Sequence, residues 1–316
     1  MDLLPTAEQD EICSSIRAVL SDHAPVGGPI SDELWSAAAA QGWFGLGIDE
    51  AAGGVGYGPI EEALLALELG RAVAPGPFIP TILAVHHALA LGSAARAAAL
   101  MDGTLRCAWA EPDPHGGMWL LEPAAADLAI ACVDGVVALV PTVGGEIVLP
   151  IDERVPSSYL AELPTMTATV VGDQGHALHH RASLLISAYL AGIAEATCAQ
   201  SVAYVTDREQ FGQPVGAFQA VKHRCADMAT RAAAAVSQTH VAAIALCDHR
   251  DIELHVPSAR LVAIDAAVSN AQVNVQNHGG IGFTWEHTAH RYVTRARVVS
   301  TMLGGRRAVI DPLVGR

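Results

Sequence analysis

Two stretches of this chain place charged, amide and glycine residues at spacings that could hold an anion. The first runs Asp207-Arg208-Glu209-Gln210-Phe211-Gly212-Gln213-Pro214 and continues through Phe218-Gln219, Lys222-His223 and Ala226-Asp227-Met228. Arg208 ends an Ala-rich helical pattern, where a cation complements the carbonyl end of the helix dipole. Together with Gln219 beyond the turn, the same guanidinium could instead face a phosphate. The second stretch is Gln276-Asn277-His278-Gly279-Gly280-Ile281-Gly282-Phe283-Thr284-Trp285-Glu286. Its three glycines in four positions suit close backbone approach, either to a ligand or to another helix. Alone, Arg208 reads as a helix-end charge. The glycine stretch tips the balance toward a site for a phosphate-bearing ligand.

The elements that must position these residues are helices. Phe211-Gly212-Gln213-Pro214 breaks the chain, since glycine can end a helix and proline cannot continue one. After the break, Phe218, Val221, Cys225 and Met228 recur at helical spacing and give one apolar face. Helices are expected over 177–206, 216–248, 254–277 and 287–310, an antiparallel four-helix bundle. The polar run Cys247-Asp248-His249-Arg250-Asp251 connects the second to the third. Residues 106–175 differ: Val133, Val136, Val137, Leu139, Val140 and Ile147-Val148-Leu149 form short runs cut by Gly135 and Gly144-Gly145, a pattern of strands. Residues 1–105 return to helix, with openings at Pro5-Thr6-Ala7-Glu8-Gln9 and Ser31-Asp32-Glu33. Gly53-Gly54-Val55-Gly56 precedes a helix carrying Glu61, Glu62 and Glu68; carboxylates there repel phosphate, so this loop is a turn. His86 and His87 sit among Ala and Leu as surface or packing residues. The expected architecture is mainly α with a small β domain, in three parts: 1–105, 106–175 and 176–316.

Composition narrows the function. Of the 316 residues 51% are apolar and only 5% aromatic, which suits closely packed, alanine-rich helices. A net charge of −15 argues against a nucleic-acid surface, while a few local arginines still suffice for an anionic substrate. Cys13, Cys107, Cys132, Cys198, Cys225 and Cys247 show neither a C-x-x-C pair nor metal spacing, and are expected as mostly buried thiols in a reducing compartment. Residues Met1 to Asp10 lack the basic and apolar regions of a secretory leader, and no apolar run approaches the ~20 residues of a membrane span. The expectation is a soluble, cytoplasmic protein.

The two stretches resemble signatures of the acyl-CoA dehydrogenase family. The first is similar to R-x-x-F-G…F-Q…K-H…A-D-M, the second to Q-x-x-G-G-x-G-(F/Y)…E at the family's usual distance downstream. The resemblance extends to the start of the chain. It implies a helical N-terminal domain, a middle β domain and a C-terminal four-helix bundle. It implies FAD as cofactor and α,β-desaturation of an acyl-CoA thioester, with an electron-transfer acceptor. In family dimers one chain lends the pyrophosphate and adenosine half of the site to its neighbour. The residues matching that loan are Arg208, Phe211, Phe218, Gln219, Gln276, Gly279 and Gly280.

Other family features are missing. The reaction needs a carboxylate to take the α-proton. The resemblance puts the commoner base position on Leu303, within Thr294–Gly305, and the alternative at or beside Ala182; neither is a carboxylate. Glu195 lies on the same expected helix as Ala182 but roughly 20 Å along it, at 1.5 Å per residue. Glu286 matches a structural glutamate, and Asp311 falls in an expected frayed tail. Of the family's flavin-holding loop, Ala110-Glu111-Pro112 keeps only the Glu-Pro, and the second flavin-holding strand has no counterpart. The β domain is expected to offer little cover for a flavin ring. This pattern is most similar to the short, base-lacking subunit of actinobacterial α2β2 enzymes of the sterol side-chain type, whose second chain carries the glutamate. Two alternatives stay open: a self-sufficient homo-oligomer with a displaced base, and a flavin-free binding or scaffold protein.

Overall fold

A computed structural model describes residues 5–23, 30–133, 135–142 and 145–314. Five helices come first: α1 (Ala7–His23), α2 (Asp32–Ala40), α3 (Pro59–Arg71), α4 (Phe78–Ala90) and α5 (Ala94–Met101). The Ser31 hydroxyl accepts from the Leu34 amide at 3.0 Å, capping α2 where the sequence placed an opening. Glu61 reaches back to the Gly58 amide at 3.1 Å and caps α3. Glu62 is directed inward and is met by His86 and Arg181, so the acidic start of α3 is an internal ion-pair network. His87 is buried, with Nε2 2.6 Å from the Ala168 carbonyl, a packing role.

Seven strands follow: β1 (Cys107–Pro112), β2 (Met118–Leu121), β3 (Leu128–Val133), β4 (Val136–Val140), β5 (Glu146–Val148), β6 (Ser157–Leu160) and β7 (Thr167–Val170). They form one sheet in the order β5-β6-β2-β1-β3-β4-β7, antiparallel except for the β1–β3 pair. Strand alternation sorts the side chains. Cys107, Trp109, Ile130, Cys132 and Leu139 join the core shared with the helices, while Ala108, Ala110, Met118, Leu120 and Ala129 make a separate core on the other face. Glu111 shares the parity of Trp109 and so points with it toward the helices.

Helices α6 (Gly172–Asp207), α7 (Gln219–Asp248) and α8 (Ile252–His278) pack against one another as the expected bundle. Helix α6 is the one helix among the described residues long and apolar enough to cross a membrane, with a window of mean hydropathy 1.5. Yet 78% of that window is buried inside the fold, as a core helix requires. The joint before α7 is more than a break: Glu209–Gln210 and Gln213–Pro214 pair as a small hairpin, β8–β9. Its two central residues, Phe211 (φ 56°) and Gly212 (φ 77°), are both left-handed, as the tightest hairpin turn demands. A 3₁₀ turn over Val215–Ala217 then delays α7 to Gln219, three residues later than expected.

The fourth expected helix, 287–310, is two: α9 (Ala289–Thr301) and α10 (Gly305–Val314), separated at Met302–Gly304. Leu303 adopts φ 54°, ψ 40°, and Gly304 and Gly305 also have positive φ. Asp311 accordingly lies on α10 and not in a frayed tail, and Glu286 lies exposed in the loop before α9. The cysteines divide: Cys13, Cys107 and Cys132 are buried, Cys198 and Cys225 are partly exposed, and Cys247 is exposed. The expectation of mostly buried thiols therefore holds for three of the six.

Candidate functional site

The antiparallel course of α6, α7 and α8 brings the end of α6, the start of α7 and the end of α8 to one end of the bundle. The contacts there are direct. The rings of Tyr204 and His278 lie 4.3 Å apart, and Asn277 Nδ2 approaches Cys225 Sγ at 3.8 Å and Met228 Sδ at 3.6 Å. One turn inward, the Ser201 hydroxyl donates to Asn274 Oδ1 at 2.8 Å. Both sequence stretches thus converge on one surface. Arg208 sits just beyond α6, its backbone fixed by Arg208 N to Tyr204 O at 2.9 Å and Val215 N to Arg208 O at 2.7 Å.

The side chains on that surface are presented outward. Arg208, Gln219, Gln276 and Gly280 are exposed, Phe218 and Gly279 half-buried, and Phe211 is 92% exposed at the hairpin tip. Phe211 and Phe218 stand perpendicular at 6.1 Å. Phe283 at 73% and Trp285 at 72% exposure extend the apolar character into the loop before α9. The glycines differ in what they leave room for. A Cβ on Gly282 would meet the Val275 carbonyl at 2.7 Å, so Gly282 serves the chain's own packing. At Gly279 and Gly280 a Cβ would meet nothing within 4 Å, so the space they keep free lies outside this chain.

A second locus forms around the Leu303 break. Glu111 of β1 accepts from the Leu303 amide and the Gly304 amide, each at 2.8 Å, and from Trp109 Nε1 at 2.8 Å. From the opposite side Arg260 of α8 donates to the Met302 carbonyl and, at 3.1 Å, to the Leu303 carbonyl. A carboxylate and a guanidinium therefore clamp the left-handed turn through its own amides and carbonyls. Burial pushes the Glu111 carboxyl above the ordinary carboxylate value, against the opposing pull of its three donors and Arg260. Burial likewise lowers Arg260, to about 10.

This clamp separates two cavities. The first, about 490 Å³, is lined by Glu111, Cys132, His179, Ser183, Arg260 and Leu303. Leu303 lines this cavity together with Ser183, the neighbour of the buried Ala182. Neither supplies a carboxylate. Glu111 does bring one there, from a segment remarked only as a surviving Glu-Pro. Its alternation with Cys107 and Trp109, on the helix-facing parity of a strand, was the available signal. Glu195 takes no part, being paired with Arg71 at 2.9 Å. The second cavity, about 750 Å³, lies between the sheet and the bundle and is lined by Trp119, Leu121, Ile264, Val268, Arg297 and Gly305, among others. The sheet therefore bounds a sizeable cleft where the sequence promised little cover. Among the described residues no group of His, Cys, Asp and Glu has metal-binding geometry.

Comparison with known proteins follows the same outline. The acyl-CoA dehydrogenase C-terminal domain matches residues 176–311 and the N-terminal domain residues 6–106. The acyl-CoA dehydrogenase IpdE2 of Mycobacterium tuberculosis is 31% identical over 331 residues, covering 98% of each chain. FadE34 of the same organism is 35% identical over 287 residues, 86% of this chain but 40% of that protein, so this chain spans well under half of FadE34's length. Among solved structures, the ChsE4-ChsE5 complex from M. tuberculosis superposes with a TM-score of 0.84 at 22% identity, covering 100% of this chain and 98% of that one.

Proposed function

The chain belongs to the acyl-CoA dehydrogenase family, FAD-dependent oxidoreductases acting on CH–CH bonds, and we propose that it is the base-lacking subunit of a heteromeric member. The observation that carries this reading is the cavity at Leu303. Leu303, at the family's commoner base position, lines it with Ser183, beside the alternative position at Ala182, and none of the three is a carboxylate. The proton acceptor then comes from a second acyl-CoA dehydrogenase chain. FadE34, more than twice the length of the segment matched here, has room for two such units in one polypeptide, and ChsE4-ChsE5 is described as a complex.

The residues at the bundle end fit one end of FAD. Arg208 offers an exposed cation beside the N-terminus of α7, where free amides favour an anion. Gly279 and Gly280 leave open space for the backbone to approach an adenosine, and the Phe211–Phe218 pair supplies an apolar flank. FAD, when bound, supplies the hydride acceptor for the reaction. This chain's residues bind and orient its phosphate end while a partner holds the reacting ring. The substrate is an acyl-CoA thioester, with sterol-derived acyl groups the class expected from the resemblance. The electrons pass to a separate acceptor protein.

One observation favours a second reading, a self-sufficient enzyme: Glu111 places a carboxyl beside the Leu303 amide on the wall of that cavity. Its oxygens, however, already accept three N–H groups, which stabilise the anion and tie it to a clamping role. Purification decides between the readings. The chain alone is expected to be colourless, and the chain co-expressed with a second acyl-CoA dehydrogenase chain to be yellow and active in dye reduction. A lone chain that is yellow and turns over acyl-CoA would establish the second reading; Glu111→Gln would then abolish turnover and leave flavin in place. A complex that never acquires flavin would overturn both.

A further inference from the structure

Cys132, near the end of β3, faces the helices, and its Sγ lies 3.3 Å from Nδ1 of His179 on α6. Both line the 490 Å³ cavity, beside Arg260. Arg260 is 2% exposed, its Nε has no partner among the described residues, and its charge acts on Cys132 as well as on Glu111. A thiol attacks as the thiolate, and an imidazole within reach together with a nearby cation are the groups that promote it. Also facing this part of the cavity are His176 and His180 from α6 and Glu253 from α8, the last 3.0 Å from His180 Nε2.

No other cysteine combines these features. Burial pushes the Cys13 thiol up to about 11 and Cys107 higher still. Cys198, Cys225 and Cys247 are raised as well, again first by desolvation. Among the described residues, Cys132, itself only 3% exposed, is the one cysteine placed against an imidazole at the wall of a cavity large enough for a small organic molecule.

We propose that Cys132 is a nucleophilic thiol that adds to α,β-unsaturated carbonyl compounds entering this cavity, with His179 accepting the thiol proton. The step balances without redox change. A bond forms from Sγ to the β-carbon, the π pair moves to the α-carbon, and the α-carbon takes the proton back from His179. The product class of the dehydrogenase reaction, an enoyl thioester, is such a compound; this extension rests on the function proposed above.

The test uses the full chain and substoichiometric N-ethylmaleimide at about pH 6.5, with modification followed at each cysteine by peptide mass spectrometry. Cys132 is expected to react roughly tenfold faster than Cys247, despite the latter's exposure, because the attacking fraction is thiolate. His179→Gln should slow Cys132 about tenfold and leave Cys247 unchanged. Equal rates at Cys132 and buried Cys107, or no effect of His179→Gln in a variant that melts normally, would overturn the proposal. If that variant does not fold, the pH profile of wild-type alkylation replaces it. A Cys132 midpoint below that of Cys247 supports the pair, and coincident midpoints refute it. Crotonyl-CoA tests the extension separately. A crotonyl-CoA adduct on Cys132 supports it, whereas maleimide labelling without that adduct removes the thioester part and sustains the thiol.

Discussion

The bundle end and the Leu303 clamp carry opposite kinds of order. At the clamp, distant parts of the chain satisfy one another: Glu111 meets three donors, and Arg260 meets two carbonyls. At the bundle end the backbone is just as well fixed, but Arg208, Phe211 and Gln276 present their functional groups to solvent. The clamp's groups find partners inside the fold, whereas on the proposed reading those at the bundle end meet another molecule. Mutations at the two places should therefore separate stability from binding.

The largest effect is expected at the clamp. Glu111→Ala leaves the buried Leu303 amide and the Trp109 indole N–H without acceptors, and each orphaned donor costs about 1–3 kcal/mol. A fall in melting temperature of several degrees should follow for the isolated chain. An unchanged melting curve would mean that the turn holds itself and that the contrast between the regions is false.

Next comes Arg208→Ala in the assembled complex. Loss of a charge-assisted hydrogen bond, about 1.5–3 kcal/mol, should weaken FAD binding about ten- to a hundredfold. Arg208→Lys should recover part of this, since it keeps the charge without the planar fork. The lone chain should melt as the wild type does. Flavin content unaffected by Arg208→Ala would end the role assigned to this surface.

The glycines divide the contrast within four residues. Gly282→Ala forces a Cβ to 2.7 Å from the Val275 carbonyl and should destabilise the chain by about 1–3 kcal/mol in urea unfolding. Gly280→Val meets no such obstacle, so it should leave stability within about 0.5 kcal/mol of wild type while lowering flavin occupancy. Unfolding by Gly280→Val would mean that the glycine serves packing after all.

The smallest expected change is none. Leu303→Glu puts a carboxyl at the family's base position, but the lone chain should still reduce no dye with any acyl-CoA, because on the proposed reading a partner holds the flavin ring. Turnover by that variant, or by the wild-type chain alone, would show that one chain suffices.

The bundle and the break at Phe211–Pro214 were legible because each depends on local spacing and on antiparallel packing of consecutive helices. The break at Met302–Gly304 was not. Arg297 to Gly305 reads as continuous helix up to its glycines, and what bends it is a carboxylate 192 residues earlier in the chain. The first cavity was invisible for the same reason, its walls coming from β1, β3, α6, α8 and the turn. Ala182 and Leu303 could be named from the resemblance, but that Leu303 and Ser183, the neighbour of Ala182, line one cavity could not. Cys132 and His179 gave no signal at all, being 47 residues apart with no motif spacing.

The hairpin tip has a consequence for the chain before it meets any partner. Phe211 projects almost wholly into water from a turn already fixed in shape, with Phe283 and Trp285 near the same end of the bundle. Such a surface attracts its like as readily as its proper counterpart. A net charge of −15 opposes those encounters, since every copy repels every other. Repulsion of this kind reaches about 10 Å at 0.1 M salt and about 3 Å at 1 M. Unpartnered chains should therefore stay dispersed in dilute buffer and cluster as salt is raised, and a bound partner should abolish the clustering by covering the tip.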